Sequence, residues 1–282
     1  MNFQAVGKRW KALHAGIASV LIAARSMVRG LSLCMSARPR TPLRVLCIVA
    51  LDTLHTLRNA KPLQRRKLRV LAALLDFGAC ANAVLDNKNY CLHEWRETLQ
   101  LLEEAGLRSS VVEYLRRLKD LECKRPLPGG DARQFQEVGL YREAVVRLSL
   151  GMLATVADRN PCLDAGIRAT DRDADLNILF RIAMLCQIID DVLDYSKDMS
   201  AGLPSFLTAS KSLPQAFALT RLATLRYADG GRVPRTGDVV PLQSALLLVS
   251  VVARLVIVLG RWRQGTGVFR LASDSPASVG SR

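Results

Sequence analysis

With 282 residues, 50 % hydrophobic and 23 % charged, the chain is too long for a peptide or a single small module and too apolar for general disorder; it suits one large domain or two modest ones. Its formal net charge of +15 would by itself suggest nucleic acid or an anionic membrane. The charge is not spread evenly: residues 1–75 hold 14 Lys and Arg and one acid (Asp52), residues 76–228 hold 19 and 21, and residues 229–282 hold 7 and 3. The surplus therefore lies at the two ends, aromatic residues are only 5 %, and no helix-turn-helix or RNA-binding signature is present, so no nucleic-acid partner is expected.

Seven scattered cysteines without a C-x-x-C pair indicate neither a disulfide framework nor a zinc knuckle, and they fit a reduced, cytoplasmic compartment. His14, His55 and His93 stand far apart, which leaves a histidine zinc site or a Ser-His-Asp triad unsupported.

Residues 1–42 form a basic segment. Within it Trp10, Leu13, Ile17, Val20, Leu21, Ala24 and Val28 recur at helical spacing among Lys8, Arg9, Lys11, Arg25 and Arg29. An ordinary first helix of a bundle is the favoured expectation, ahead of an interfacial helix on anionic lipid or a targeting segment. After the breaker-rich Ser36–Pro42, Leu43–Leu57 reads as a helix, and the basic turn Arg65-Arg66-Lys67 leads into the apolar helix Leu68–Leu85. The small residues Gly78, Ala79, Ala81 and Ala83 in that helix would permit close packing. Glu94–Ala105 and Ser109–Glu122 read as amphipathic helices separated by Gly106, and Lys124–Gly130 as a loop. Asp131–Ala157 and Asp175–Tyr195 are longer helices joined by Asp158-Arg-Asn-Pro161 and a polar connection with Asp171, Asp173 and Asp175.

No stretch alternates in strand fashion for long, so the expected fold class is all-α, with a main helical domain over residues 43–226. Residues 227–282 comprise a loop, the apolar helix Pro241–Gly260 and a polar tail. That helix is about long enough to cross a bilayer. Arg254 inside it would cost roughly 2.5–3.5 kcal/mol near mid-membrane, which its Leu, Val and Ile residues can offset. The favoured expectation is a buried bundle helix with Arg254 snorkelling or paired.

The most informative segment runs from Phe180 to Asp198. Asp190, Asp194 and Asp198 are four residues apart, hence about 40° from one another on a helix, with Asp191 beside them and Lys197 as the nearby cation. Four carboxylates following an apolar run make sense if a divalent metal supplies the missing charge, and Mg²⁺ prefers carboxylate oxygen and bridges to phosphate. The bland reading of the same pattern is an acidic, solvated helix end.

Gln187-Ile-Ile-Asp-Asp-Val-Leu-Asp-Tyr-Ser-Lys-Asp198 is similar, position by position, to the second aspartate-rich motif of the trans-polyprenyl diphosphate synthases, F-Q-x-x-D-D-x-L-D followed by a further Asp. Thirteen residues on, Lys211-Ser-Leu-Pro214 resembles that family's diphosphate-contacting Gly-Lys-x-Thr-Leu-Pro segment, shortened by one residue. The chain thus resembles a divergent member of the class I isoprenoid synthase superfamily, strongly over residues 174–220 and diffusely elsewhere. The resemblance implies an isoprenoid synthase-like helical bundle around a deep apolar cavity, walled by Leu68–Leu85, Val145–Val156 and Leu176–Ile189. It also implies a first metal motif on a helix facing the second. The candidate is Asn82-Ala-Val-Leu-Asp86, with Asn82 and Ala83 where the family has aspartates; a polar helix terminus with Asx turns is the plain alternative. Asp76 is the second choice.

The resemblance implies Mg²⁺ as cofactor, held by Asp190, Asp191, Asp194, Asp198, Asn82 and Asp86 with Gln187 in support. A prenyl diphosphate would be the substrate, met by Lys211, Arg142 and Lys88, and the chemistry its ionisation by a prenyltransferase or terpene synthase. Arg142, in the Tyr141–Gly151 stretch that loosely resembles the pocket helix of squalene and phytoene synthases, has a surface pairing with Glu137 or Glu143 as its alternative. A homodimer and a peripheral association with membrane accompany this reading. The rival is a catalytically degenerate prenyl-lipid-binding or scaffolding protein of the same fold, favoured by Asn82 and by the missing Arg pair of the first motif.

Overall fold

In the computed structural model the described residues are 42–59, 61–85, 92–157, 163–229 and 240–273, together with helical positions between 17 and 29. Some side chains within these helices, Asn82 among them, lie outside the description. The polypeptide is all-α over the described residues: α1 (Pro42–Asn59), α2 (Arg65–Leu85), α3 (Leu92–Glu104), α4 (Arg108–Glu122), α5 (Ala132–Ala157), α6 (Leu163–Arg172), α7 (Ala174–Leu193), α8 (Tyr195–Ala201), α9 (Leu213–Asp229) and α10 (Val240–Ser273). The β-pairing described is the isolated bridge Gly130 to Ser210. The tail Ser273–Arg282 read from sequence lies, beyond Ser273, outside the described residues.

The chain divides into two compact units whose limits do not follow the segments read from sequence. The first comprises residues 1–124, 142–181 and 232–246; the second comprises 125–141, 182–231 and 247–282.

In the first unit the helices bury Ile48, Leu51, Leu68, Leu71, Phe77, Leu102, Leu118 and Met152. Phe77 stacks on Trp95 with ring centroids 4.8 Å apart, and Tyr114 lies against it at 6.0 Å. Asp52, the one acid of residues 1–75, is 1 % exposed. Its Oδ1 accepts the Leu63 N–H at 2.9 Å and its Oδ2 lies 3.5 Å from Arg29, so the carboxylate fixes the turn between α1 and α2. Gly106, at φ +77°, makes the turn between α3 and α4 that was expected there.

The tight helix approach falls elsewhere than in the small-residue run of α2. A Cβ on Gly78 would meet Tyr114 at an ordinary 3.6 Å. A Cβ on Gly166 would stand 2.2 Å from the Gly151 carbonyl oxygen, and one on Gly151 2.8 Å from the Ile167 backbone nitrogen, so α5 and α6 cross backbone to backbone. Helix α6 occupies the stretch read as a polar connection. Its buried positions Leu163, Gly166 and Thr170 have helical spacing but little apolar character, which hid it.

In the second unit Val138, Met184, Leu185, Ile188, Phe206, Leu207, Phe217 and Ile257 are buried. Phe135 packs on Phe206 at 5.5 Å between ring centroids. The α5 start is fixed by Asp131, whose Oδ1 accepts the Arg133 and Gln134 N–H groups at 2.9 and 3.2 Å. Those bonds hold its carboxyl below the usual range.

The expectation of a buried C-terminal helix is overturned. Over Leu242–Gln264, long and apolar enough to cross a membrane, only 28 % of the most apolar window is buried. Near the N-terminus, Ile17, Val20, Leu21 and Val28 are more than half exposed, so these apolar positions are not packed as an ordinary bundle helix would pack them.

Candidate functional site

The acidic sequence sits where α7 ends. Met184, Leu185, Ile188, Asp191 and Val192 are buried, the spacing of one helical face, while Asp190 and Leu193 are exposed. The expected single stripe of four carboxylates is therefore corrected: Asp191 points inward on the apolar face, about 100° from Asp190, because it follows Ile188 by three residues and Met184 by seven.

Burying a carboxylate is costly unless hydrogen bonds hold it. Asp191 is 2 % exposed, and its Oδ2 accepts the Phe206 N–H at 2.7 Å. It thereby ties α7 to the segment Leu203–Lys211. There Thr208 Oγ1 accepts the Ser205 N–H at 2.7 Å and donates to the Leu203 carbonyl at 2.8 Å. Gly129 and Gly130 donate to the Thr208 and Ala209 carbonyls at 2.8 and 3.1 Å, and the Lys211 N–H donates back to Gly130 at 3.2 Å. Gly129 stands at φ +83°, a conformation this close backbone pairing uses and side chains resist. The result is a fixed turn that ends on exposed Lys211.

The helix also breaks earlier than expected. Asp194 has φ −93° and ψ 10° and heads the separate helix α8, so Asp190 and Asp198 belong to different helices. Asp194 Oδ2 accepts Lys197 Nζ at 3.0 Å, which holds the Lys197 ammonium above its ordinary range. Asp198 is half-buried in the first turn of α8, and Gln187 is half-buried one turn before Asp191. Burial, with the Asp190 charge added, pushes the Cys186 thiol up.

Among the described residues no group of three or more His, Cys, Asp or Glu side chains is arranged to hold a metal ion. The α7 end presents Asp190 and Asp194, the latter also paired with Lys197, while Asp191 is turned inward on the Phe206 amide; one or two carboxylates are what Mg²⁺ takes when water and phosphate complete its shell.

The other sequence-derived residues are placed as follows. Asn82 stands in the last turn of α2, while Asp86 and Lys88 lie outside the described residues. Asp76, the second-choice acid, is held by Arg44 at 2.7 Å. Arg142 is half-buried in α5; Glu137 pairs with Arg133 at 3.3 Å and Glu143 with Arg147 at 3.9 Å.

The acids of the polar connection have structural work that sequence reasoning missed. Asp173 Oδ1 caps α7 by accepting the Asp175 and Leu176 N–H groups at 3.0 and 3.1 Å. Arg58 binds Asp173 at 2.5 Å and Asp175 at 2.9 Å. Arg147 pairs with Asp171 and lies 4.1 Å over the Phe180 ring. An Asp at 173, directly before the apolar helix, was a local cap signal, whereas Arg58, more than a hundred residues away, had no local signal.

A surface concavity of about 570 Å³ lies along Gly106, Arg108, Ser109, Val112 and Glu113. It contains none of the residues expected at a diphosphate site. No family model, no curated protein and no solved structure matches the chain.

Proposed function

We propose that the chain is a Mg²⁺-dependent enzyme of isoprenoid biosynthesis that ionises an allylic prenyl diphosphate, as a prenyltransferase or a terpene synthase. The observation that carries this reading is the sequence Gln187 to Asp198 followed at a fixed interval by Lys211-Ser-Leu-Pro214. It is supported by an all-α chain, by two solvent-facing carboxylates at the end of an apolar helix, and by a lysine presented on a hydrogen-bonded turn of the same unit.

Asp190 and Asp194 would hold the ion, with Asp198 as a further oxygen donor. Lys211 would meet the diphosphate oxygens. When bound, Mg²⁺ supplies the charge that stabilises the departing diphosphate. Apolar side chains must then keep water from the carbocation. Asp191 acts as a positioning residue, holding the turn that carries Lys211. The activity belongs at a membrane surface, a placement supported by a helix long and apolar enough to span one.

Incubation with C10, C15 and C20 allylic diphosphates, with and without isopentenyl diphosphate, gives inorganic diphosphate release that EDTA stops and Mg²⁺ restores. Asp190→Asn with Asp194→Asn, both outside the core, lowers release by roughly 100-fold or more while leaving the thermal melt in place. The inward turn of Asp191, with no three-acid group among the described residues, favours a second reading, a prenyl-lipid-binding protein of the same fold. Metal-independent binding of farnesyl diphosphate with no release from any substrate would decide for it.

A further inference from the structure

Helix α10 carries no Asp or Glu from Val240 to Ser273. In its stretch within the second unit, Ser250, Ala253 and Ile257 are buried, and a Cβ on Gly260 would come within 2.6 Å of Val192 and 3.4 Å of Phe217. The opposite face consists of Leu247, Leu248, Val251, Leu255, Val258, Leu259 and Trp262, all at least 54 % exposed, with Val252 at its edge. At 100° per residue this apolar sector runs about 140° from Leu247 to Val252. Arg254 and Arg261 fall just outside one border and Arg263 just outside the other, and all three are exposed. A helix with one apolar sector, one docked stripe and arginines at the borders has the form of an interfacial helix.

We infer that this face lies in the plane of an anionic phospholipid bilayer, entered from one side, with Arg254, Arg261 and Arg263 meeting the headgroup phosphates. The inference rests on the membrane placement in the proposed function and not on the diphosphate chemistry. Crossing the bilayer is disfavoured by the docked stripe: α7 and α9, which supply Val192 and Phe217, expose Asp190, Arg221 and Arg226, and a spanning α10 would draw those charges into hydrocarbon. A second copy of the chain is disfavoured by charge, because a two-fold pairing of this face would set arginine rims against themselves with no acid on α10 to relieve them. The exposed apolar positions Ile17, Val20, Leu21 and Val28, in a segment with no acid before Asp52, repeat the pattern at the other end of the chain.

The test is flotation of the full chain, carrying a C-terminal epitope, with vesicles of phosphatidylcholine alone or in equimolar mixture with phosphatidylglycerol. Binding is expected to be about tenfold or more stronger on the anionic vesicles. Leu255→Glu, a change at an exposed position that leaves the circular dichroism unaltered, lowers binding to both at least about tenfold. Arg254→Gln with Arg261→Gln removes most of the anionic preference, and external protease removes the epitope completely. A protected epitope, binding unaffected by Leu255→Glu, or no anionic preference overturns the in-plane insertion while the membrane placement stands. Self-association that Leu255→Glu abolishes and vesicles do not displace assigns the face to a second copy. Wild type that floats with neither vesicle overturns the membrane placement and the inference together.

Discussion

Asp190 and Asp191 are chemically identical neighbours with opposite surroundings. Asp190 is exposed, whereas Asp191 is buried and spends an oxygen on a backbone N–H fifteen residues away. A hydrogen bond to a charged group contributes about 1.5–3 kcal/mol, and removing it leaves a buried donor unsatisfied. Asp191→Ala should therefore lower unfolding stability by about 2–3 kcal/mol in urea titration, against about 0.5 kcal/mol or less for Asp190→Asn. Equal effects would mean that the Phe206 contact is not what holds the Lys211 turn. The difference was legible in part: Asp191 falls in register with Met184 and Ile188, and reading the carboxylates as a cluster obscured that register. The partner was not legible, because nothing near Asp191 in sequence identifies the Phe206 amide.

Between elements, two contacts of the first unit carry clear predictions. The crossing of α5 and α6 at Gly151 and Gly166 leaves no room for a methyl group, since the atoms in its way are backbone. Gly166→Ala should cost about 2–3 kcal/mol in thermal or urea unfolding, with Gly78→Ala on α2 near neutral as the control. On α4, Arg116 and Arg117 bond Glu113 and hold its carboxyl down to about 2, from an ordinary 4.5, while Arg117 reaches Asp164 of α6 at 2.6 Å. Because the folded value lies below the unfolded one, this contribution is complete above pH 4.5 and is lost as pH falls toward about 2. Thermal melts of wild type and Glu113→Gln should converge over that interval and differ by a constant amount above it. A gap unchanged from pH 7 to pH 2 would remove the ion pairs as its cause. Helix existence was readable from spacing and from Gly106; α6 was not, because a face of Gly and Thr packs by closeness rather than by hydrophobicity.

For the molecule as a whole, the +15 charge has a distribution that matters more than its size. The basic surplus of the ends accompanies exposed apolar residues at positions 17–28 and 247–262, and that combination suits a surface that is both anionic and apolar. Acids of the middle are mostly committed to arginines and to helix starts, as Asp173, Asp164 and Asp131 show. What the sequence determined by itself is the all-α class, most helix positions, the location of the acidic end of α7 and the confinement of the basic surplus to the two ends. Each of these is a property of composition or of 3.6-residue spacing, which is local. Tertiary structure alone decided that Asp191 faces inward, that Asp194 breaks the helix, that the polar-connection acids serve Arg58 and Arg147, and that the apolar helix near the C-terminus is mainly exposed. Those outcomes depend on which residues from distant parts of the chain arrive beside a given side chain, and spacing along one helix carries no record of that.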